Sequence, residues 1–173
     1  MKPLDVELEI PAYYRDYVNE LRGAAFIDKL KQQSGTTESL LTSLTQDQWE
    51  FAYAAGKWTL KEVILHLTDA ERIFAYRALR FSRNDSTPLP GFEENDYVPM
   101  CESSSRTPAS VIEEYSTLRQ STVSLFENFS DTMLERTGTA NGQTISVRAI
   151  GMVIAGHEIH HLKVISERYL TTG

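Results

Sequence analysis

The sequence predicts an all-α protein, a four-helix bundle with a long crossover between its second and third helices. Three observations point there: four segments carry apolar residues at three- and four-residue spacing, two of them open on sharp helix-start signals, and one Pro/Gly-rich connection far exceeds an ordinary helix link. At 173 residues, with 41% hydrophobic and 24% charged side chains, the chain can bury a sizeable core, and residues 1–173 read as one domain.

Residues 1–22, with Tyr13, Tyr14 and Tyr17, are expected to pack over the bundle as a loop and a short turn. The first helix runs from about Ala24 to Leu44, with Phe26, Leu30, Leu40, Leu41 and Leu44 as core candidates and Ser34-Gly35-Thr36-Thr37 weakening its middle. The second opens on a T-x-x-E capping box, Thr59 and Glu62, with Trp58 and Val63 at hydrophobic-staple positions. It continues to about Arg83 through Leu60, Val63, Ile64, Leu67, Phe74, Ala78 and Phe81, and His66 lies on the border of that stripe. The stretch from Asn84 to Arg106 follows. At about 3.3 Å per residue it can run back along a helix of about 36 Å, so the second and third helices are expected to be parallel and the loop to act as a substrate lid. Thr107 and Pro108 supply an N-cap and a first-turn proline for the third helix, which extends to about Phe129 with Ile112, Tyr115, Leu118, Val123 and Phe126 inward. Residues 130–145 carry a short helical piece and an Asn141-Gly142 turn suited to a small hairpin. The fourth helix starts near Ser146 and reaches about Leu170.

Composition narrows the function. A formal net charge of -7 disfavours nucleic acid and anionic membranes as partners; the nearest basic grouping, Arg72, Arg77, Arg80 and Arg83 on one helix, is mixed with acids. No apolar run is long enough to span a bilayer, and the acidic residues in MKPLDVELEIPAYY stand where a signal peptide needs an apolar stretch. The expected location is the cytoplasm. A single cysteine, Cys101, excludes an internal disulfide and has no cation or histidine beside it in sequence to activate it.

Three of the four histidines fall within His157-Glu158-Ile159-His160-His161, and the fourth is His66. Val147, Ile150, Ile154, His157, His161 and Val164 form one inward stripe, and at about 100° per residue His157 and His161 are separated by about 40° and one turn. Buried imidazole nitrogens need partners, and a divalent ion supplies one. His66, on a neighbouring helix, is the third candidate ligand, giving three neutral nitrogens with an open fourth position, a catalytic rather than structural arrangement. His160 and Glu158 flank the stripe. His160 reads as a group at the edge of the site or an exposed one, Glu158 as an external salt-bridge partner ahead of a base. Asp69, three residues after His66, could orient an imidazole or be a solvated carboxylate. HEIHH also satisfies H-E-x-x-H, yet twelve residues after His161 leave no downstream helix for the usual third ligand, so proteolysis is disfavoured.

The segments GKWTLKEVILHLTDAERIFAYRALRF, TPLPGF and VRAIGMVIAGHEIHHLKVISERY resemble the DinB-like superfamily, within it the YfiT-like branch of metal-dependent hydrolases and bacillithiol S-transferases. The resemblance covers nearly the whole chain from about Ala24. It implies the up-down-down-up bundle and a divalent ion, zinc or nickel, on His66, His157 and His161, the trio that helical geometry also selects. It further implies a small-molecule substrate, a low-molecular-weight thiol such as bacillithiol or mycothiol as cosubstrate, and a homodimer. The expected function is a metal-dependent S-transferase using that thiol. The alternatives are a metal-dependent hydrolase and a non-enzymatic metal-binding or regulatory protein, whose closed site would take His160 or Cys101 as fourth ligand.

Overall fold

The computed structural model describes residues 9–170. Among the described residues, eight α-helices and one β-hairpin follow in chain order: α1 (Arg15–Glu20), α2 (Phe26–Ser43), α3 (Gln46–Glu50), α4 (Leu60–Ser82), α5 (Glu94–Tyr97), α6 (Pro108–Glu127), α7 (Asp131–Leu134), β1 (Thr137–Ala140), β2 (Gln143–Ser146) and α8 (Val147–Val164). A π-helical turn, Ile165–Tyr169, extends α8. The fold is mostly helical, and α2, α4, α6 and α8 are its four long elements.

The boundaries follow local chemistry. Thr59 and Glu62 close the expected capping box on α4, each satisfying a backbone N–H of the other's residue. Thr107 caps α6 ahead of Pro108, and Ser146 caps α8. A second box, Thr45 with Gln48, starts the short α3, which the sequence reading passed over although T-x-x-Q is present. Asn141 and Gly142, at φ 51° and 71°, make the hairpin turn, where both central residues need positive φ.

The core forms two clusters. One joins Leu60 to Leu67 at the start of α4, Val111 and Tyr115 at the start of α6, Leu41 near the end of α2, and Ile165 and Tyr169 beyond α8. The other joins Ala70 to Phe81, Phe126, Leu30 and the first half of α8. The first cluster thus gathers the starts of α4 and α6 with the ends of α2 and α8.

Several expectations need correction. Of the segment expected as loop and turn, the described part, from Glu9 on, is a 3-10 turn at Ala12–Tyr14 and then helix α1, packed on α8; residues 1–8 lie outside the described residues. Helix α2 does not weaken at Ser34–Thr37. Gln33 and Thr37 are buried there and reach across to α8, Gln33 Nε2 donating to the Ala155 carbonyl at 3.0 Å and Thr37 Oγ1 to Glu158 at 2.7 Å. Phe26, Leu40 and Leu44 are only partly buried. On α6 the buried face is Val111, Tyr115, Arg119, Thr122 and Phe126, rotated from the expected stripe because Arg119 is drawn inward by two carboxylates; Ile112, Leu118 and Val123 are partly buried. No helix among the described residues is long and apolar enough to cross a membrane.

Candidate metal centre

His66 sits in the second turn of α4, where the Thr59 cap and the preceding Trp58 fix the start of the helix. The Trp58 ring lies 5.1 Å from the His66 ring, tilted by 45°. His157 and His161 stand one turn apart on α8, packed against α4. The three rings converge through their Nε2 atoms. His157 Nε2 is 3.2 Å from His66 Nε2 and 3.0 Å from His161 Nε2. One ring nitrogen from each residue lies within 4.8 Å of those of the other two. Nitrogens sharing a tetrahedral ion at about 2.05 Å would stand about 3.3 Å apart, so the donor set fits a metal.

Protons alone satisfy this cluster poorly. Each Nε2 carries either one hydrogen or one lone pair, so at most one of the two contacts to His157 can be a good hydrogen bond. A divalent ion would engage all three lone pairs. Those lone pairs are available at neutral pH: burial holds His66 down to about 4 and, with help from His66 and His160, His161 to about 3. His157 lies well below the ordinary imidazole value for the same first reason, with its histidine neighbours adding to it.

Neighbouring segments enclose the trio. The Tyr17 ring meets His157 edge-on at 5.0 Å and His160 at 5.4 Å. This closeness depends on Gly156, where an added Cβ would fall 1.9 Å from the Tyr17 carbonyl oxygen. The histidines line a cavity of about 390 Å³ together with Tyr13, Tyr14 and Tyr17, with Ala70, Phe74 and Arg77 of α4, with Gly91–Glu94 of the crossover, and with the hairpin turn. The expected lid segment thus forms one wall. It is fastened to the hairpin by Leu89, whose N–H donates to the Thr139 carbonyl at 2.9 Å and whose carbonyl accepts from Asn141 at 3.0 Å.

The other candidates separate clearly. His160 lines the cavity with its ring 5.2 Å from that of His161 but does not join the nitrogen cluster. Glu158 is not an external salt-bridge partner. It is 1% exposed and accepts hydrogen bonds from Thr37 Oγ1 and the Tyr115 hydroxyl, both at 2.7 Å. Arg119 Nη1 lies 2.6 Å from its other oxygen as an ion pair, and the same guanidinium binds Glu71 through Nε at 3.0 Å and Nη2 at 2.7 Å. Helix α8 is buried at every position from Val147 to Glu158 except the half-buried Met152, so a flanking position there meets protein instead of water. Asp69 lies 3.8 Å from Arg72 and does not line the cavity; burial raises its pKa while Arg72 opposes the shift. Cys101 packs beside the cluster around Leu60, and burial raises its thiol pKa. Among the described residues the metal-type cluster contains neither Cys101 nor any carboxylate.

The reading from sequence missed Tyr17, Trp58 and Arg77 as neighbours of the site. In the sequence alone Trp58 reads as a staple and the tyrosines as cover. Arg77 carried a usable signal, since eleven residues after His66 it returns to the same helical face within about 20°.

The sequence profile of the DinB superfamily matches residues 29–165, most of the chain. The chain belongs to the DinB superfamily. A candidate metal-dependent hydrolase of Bacillus pumilus (strain SAFR-032) is 27% identical over 148 residues, spanning 83% of this chain and 82% of that protein. Among solved structures, YfiT from Bacillus subtilis, described as a metal-dependent hydrolase candidate with an unusual four-helix bundle topology, superposes with a TM-score of 0.65 at 19% identity, over 96% of this chain and 90% of that one. The mycothiol-dependent maleylpyruvate isomerase superposes with a TM-score of 0.63 at 13% identity, covering 79% of this chain and 58% of the isomerase. These two likenesses bear on the fold.

Proposed function

We propose that this DinB-superfamily chain is a metal-dependent enzyme acting on a small molecule, hydrolysis being the first reading. The observation that carries it is the convergence of three neutral imidazole nitrogens beside a cavity of about 390 Å³, with no fourth ligand-type side chain joining that cluster among the described residues. His66, His157 and His161 would hold the ion, zinc or nickel by the imidazole-rich donor set. Bound there, a divalent ion supplies a Lewis acid that lowers the pKa of a coordinated water or thiol toward neutrality. The chain's own part is orientation and exclusion of water. Trp58 and Tyr17 bracket the rings, and Phe74 and Phe92 give the cavity apolar walls. Glu158, locked in its buried network, is not offered as a base. The bundle is read as up-down-down-up, supported by the two core clusters and by the likeness to YfiT.

Transfer from a low-molecular-weight thiol is the second reading, favoured by the likeness to an enzyme named for its dependence on mycothiol. Both readings use the same three ligands, so products must separate them. Zinc-reconstituted protein would be given 4-nitrophenyl esters with and without added thiol. Thiol-independent release of nitrophenol, abolished in His157→Ala, supports hydrolysis. Turnover that requires thiol and yields the thioester would overturn hydrolysis in favour of transfer.

A further inference from the structure

We propose that Arg77 is the anion-binding subsite of this cavity, so that the substrate or cosubstrate is a small molecule carrying a carboxylate or similar anion remote from its reacting group. The inference rests on the reading of the histidine trio as the reacting centre, and names the class of ligand that centre serves.

Arg77 differs from the other arginines of α4. Arg72 reaches Glu114 at 2.6 Å, Arg80 pairs with Asp85, and both side chains are partly exposed. Arg77 is 3% exposed, and no carboxylate lies within ion-pair distance of it among the described residues. Burying a guanidinium without a counter-ion is costly, and such a group is retained where something charged comes to meet it. Its surroundings hold it in place without neutralising it. Nη2 donates to the Pro90 carbonyl at 2.7 Å, the Tyr14 phenol lies beside it, and the guanidinium carbon sits 5.7 Å from the Phe74 ring centre and 5.9 Å from that of Phe92. Aromatic faces favour a cation, and with five N–H donors on a fixed fork, donors remain for a bidentate oxyanion.

Position links this charge to the histidines. His66, Ala70, Phe74 and Arg77 share one face of α4, and all four line the cavity. The rise from residue 66 to 77 is about 16 Å, shortened by an arginine side chain that leans toward the helix N-terminus, so a ligand touching both ends must reach on the order of 10 Å. Among the described residues, Arg77 is the only lysine or arginine lining the cavity. Glu93 and Glu94 also line it and oppose an anion, but Glu93 is exposed and turned to cap α5, accepting from Asn95 N and Nδ2, and Glu94 is only half-buried. Their field disfavours anions near the solvent side and leaves the buried fork as the place for one.

Matched acid and amide probes test this by titration calorimetry. Suberic acid monohydroxamate and its terminal amide would be titrated into both the zinc-loaded and the metal-stripped protein, and hexanoate and hexanamide into the metal-stripped protein. The acid is expected to bind at least tenfold more tightly than the amide in both pairs, with the preference lost in Arg77→Gln and partly kept in Arg77→Lys. Equal affinity of acid and amide in the wild-type protein overturns the subsite without recourse to any variant, as does a preference that survives Arg77→Gln. If the hydroxamates show no metal dependence while hexanoate is still preferred over hexanamide, the metal reading fails and the subsite stands.

Discussion

Glu158 shows how a single residue's role turns on what surrounds it. Its carboxylate, Glu71 and Arg119 form a buried ion-pair network beside His157, with Tyr115 and Thr37 both donating to one Glu158 oxygen. Burial and the adjacent Glu158 charge push the Tyr115 hydroxyl up, so it remains a donor; for Arg119, burial acts downward and the two carboxylates outweigh it. Glu158→Gln should therefore cost about 1.5–3 kcal/mol of stability, and Arg119→Met, which strands two carboxylates, about 3–5 kcal/mol. Urea denaturation measures both, and metal content should stay unchanged; a Glu158→Gln protein of normal stability would contradict the structural role. The histidines give a second prediction. In the metal-stripped protein His66 at about 4 and His161 at about 3 lie below the 6.5 of a free imidazole. As pH falls below about 6.5 the unfolded chain takes up protons that the folded chain refuses, so stability is full above that value and declines below it. The urea midpoint of metal-stripped protein should drop between pH 7 and 5.5, a window above most carboxylate titration, and zinc should restore it; a flat midpoint would contradict buried neutral histidines.

At the scale of elements, the short α1 matters more than its length suggests. It lies on α8 only because Gly156 leaves room for the Tyr17 carbonyl. Gly156→Ala should lift α1 from the bundle at a cost of about 1–3 kcal/mol. Limited proteolysis would then cut between residues 9 and 22 while the bundle stays intact, whereas wild-type resistance would contradict the packing. The cap of α4 is a milder case: Thr59→Ala should lower stability by about 1 kcal/mol, read from thermal melts, since it removes one partner of an intact box. The caps at Thr59 and Thr107 were legible because their chemistry is local. The polar centre of α2 and the inward Arg119 were not. Gln33 and Thr37 find their partners on α8, over 120 residues away, and hydrophobic spacing carries no trace of such pairs.

Across the whole molecule, the spacing of His157 and His161 in an otherwise apolar stripe made two corners of the site readable, and His66 followed from its position on the next helix. What enclosed the site was not readable, because the cavity wall is assembled from α1, the crossover and the hairpin turn, segments with no shared period. The same assembly explains the expected dependence on metal. Helices α4 and α8 bring three imidazoles together and would gain from an ion bridging them, so loss of the ion should lower stability by mass action. The measurement that bears most directly on the account is elemental analysis with X-ray absorption on protein purified without a histidine tag. About one equivalent of a divalent metal, surrounded mainly by imidazole nitrogen and lost in His157→Ala, is the predicted result. No metal in a folded protein supplied with zinc and nickel, or a metal content unchanged in His157→Ala, would contradict it.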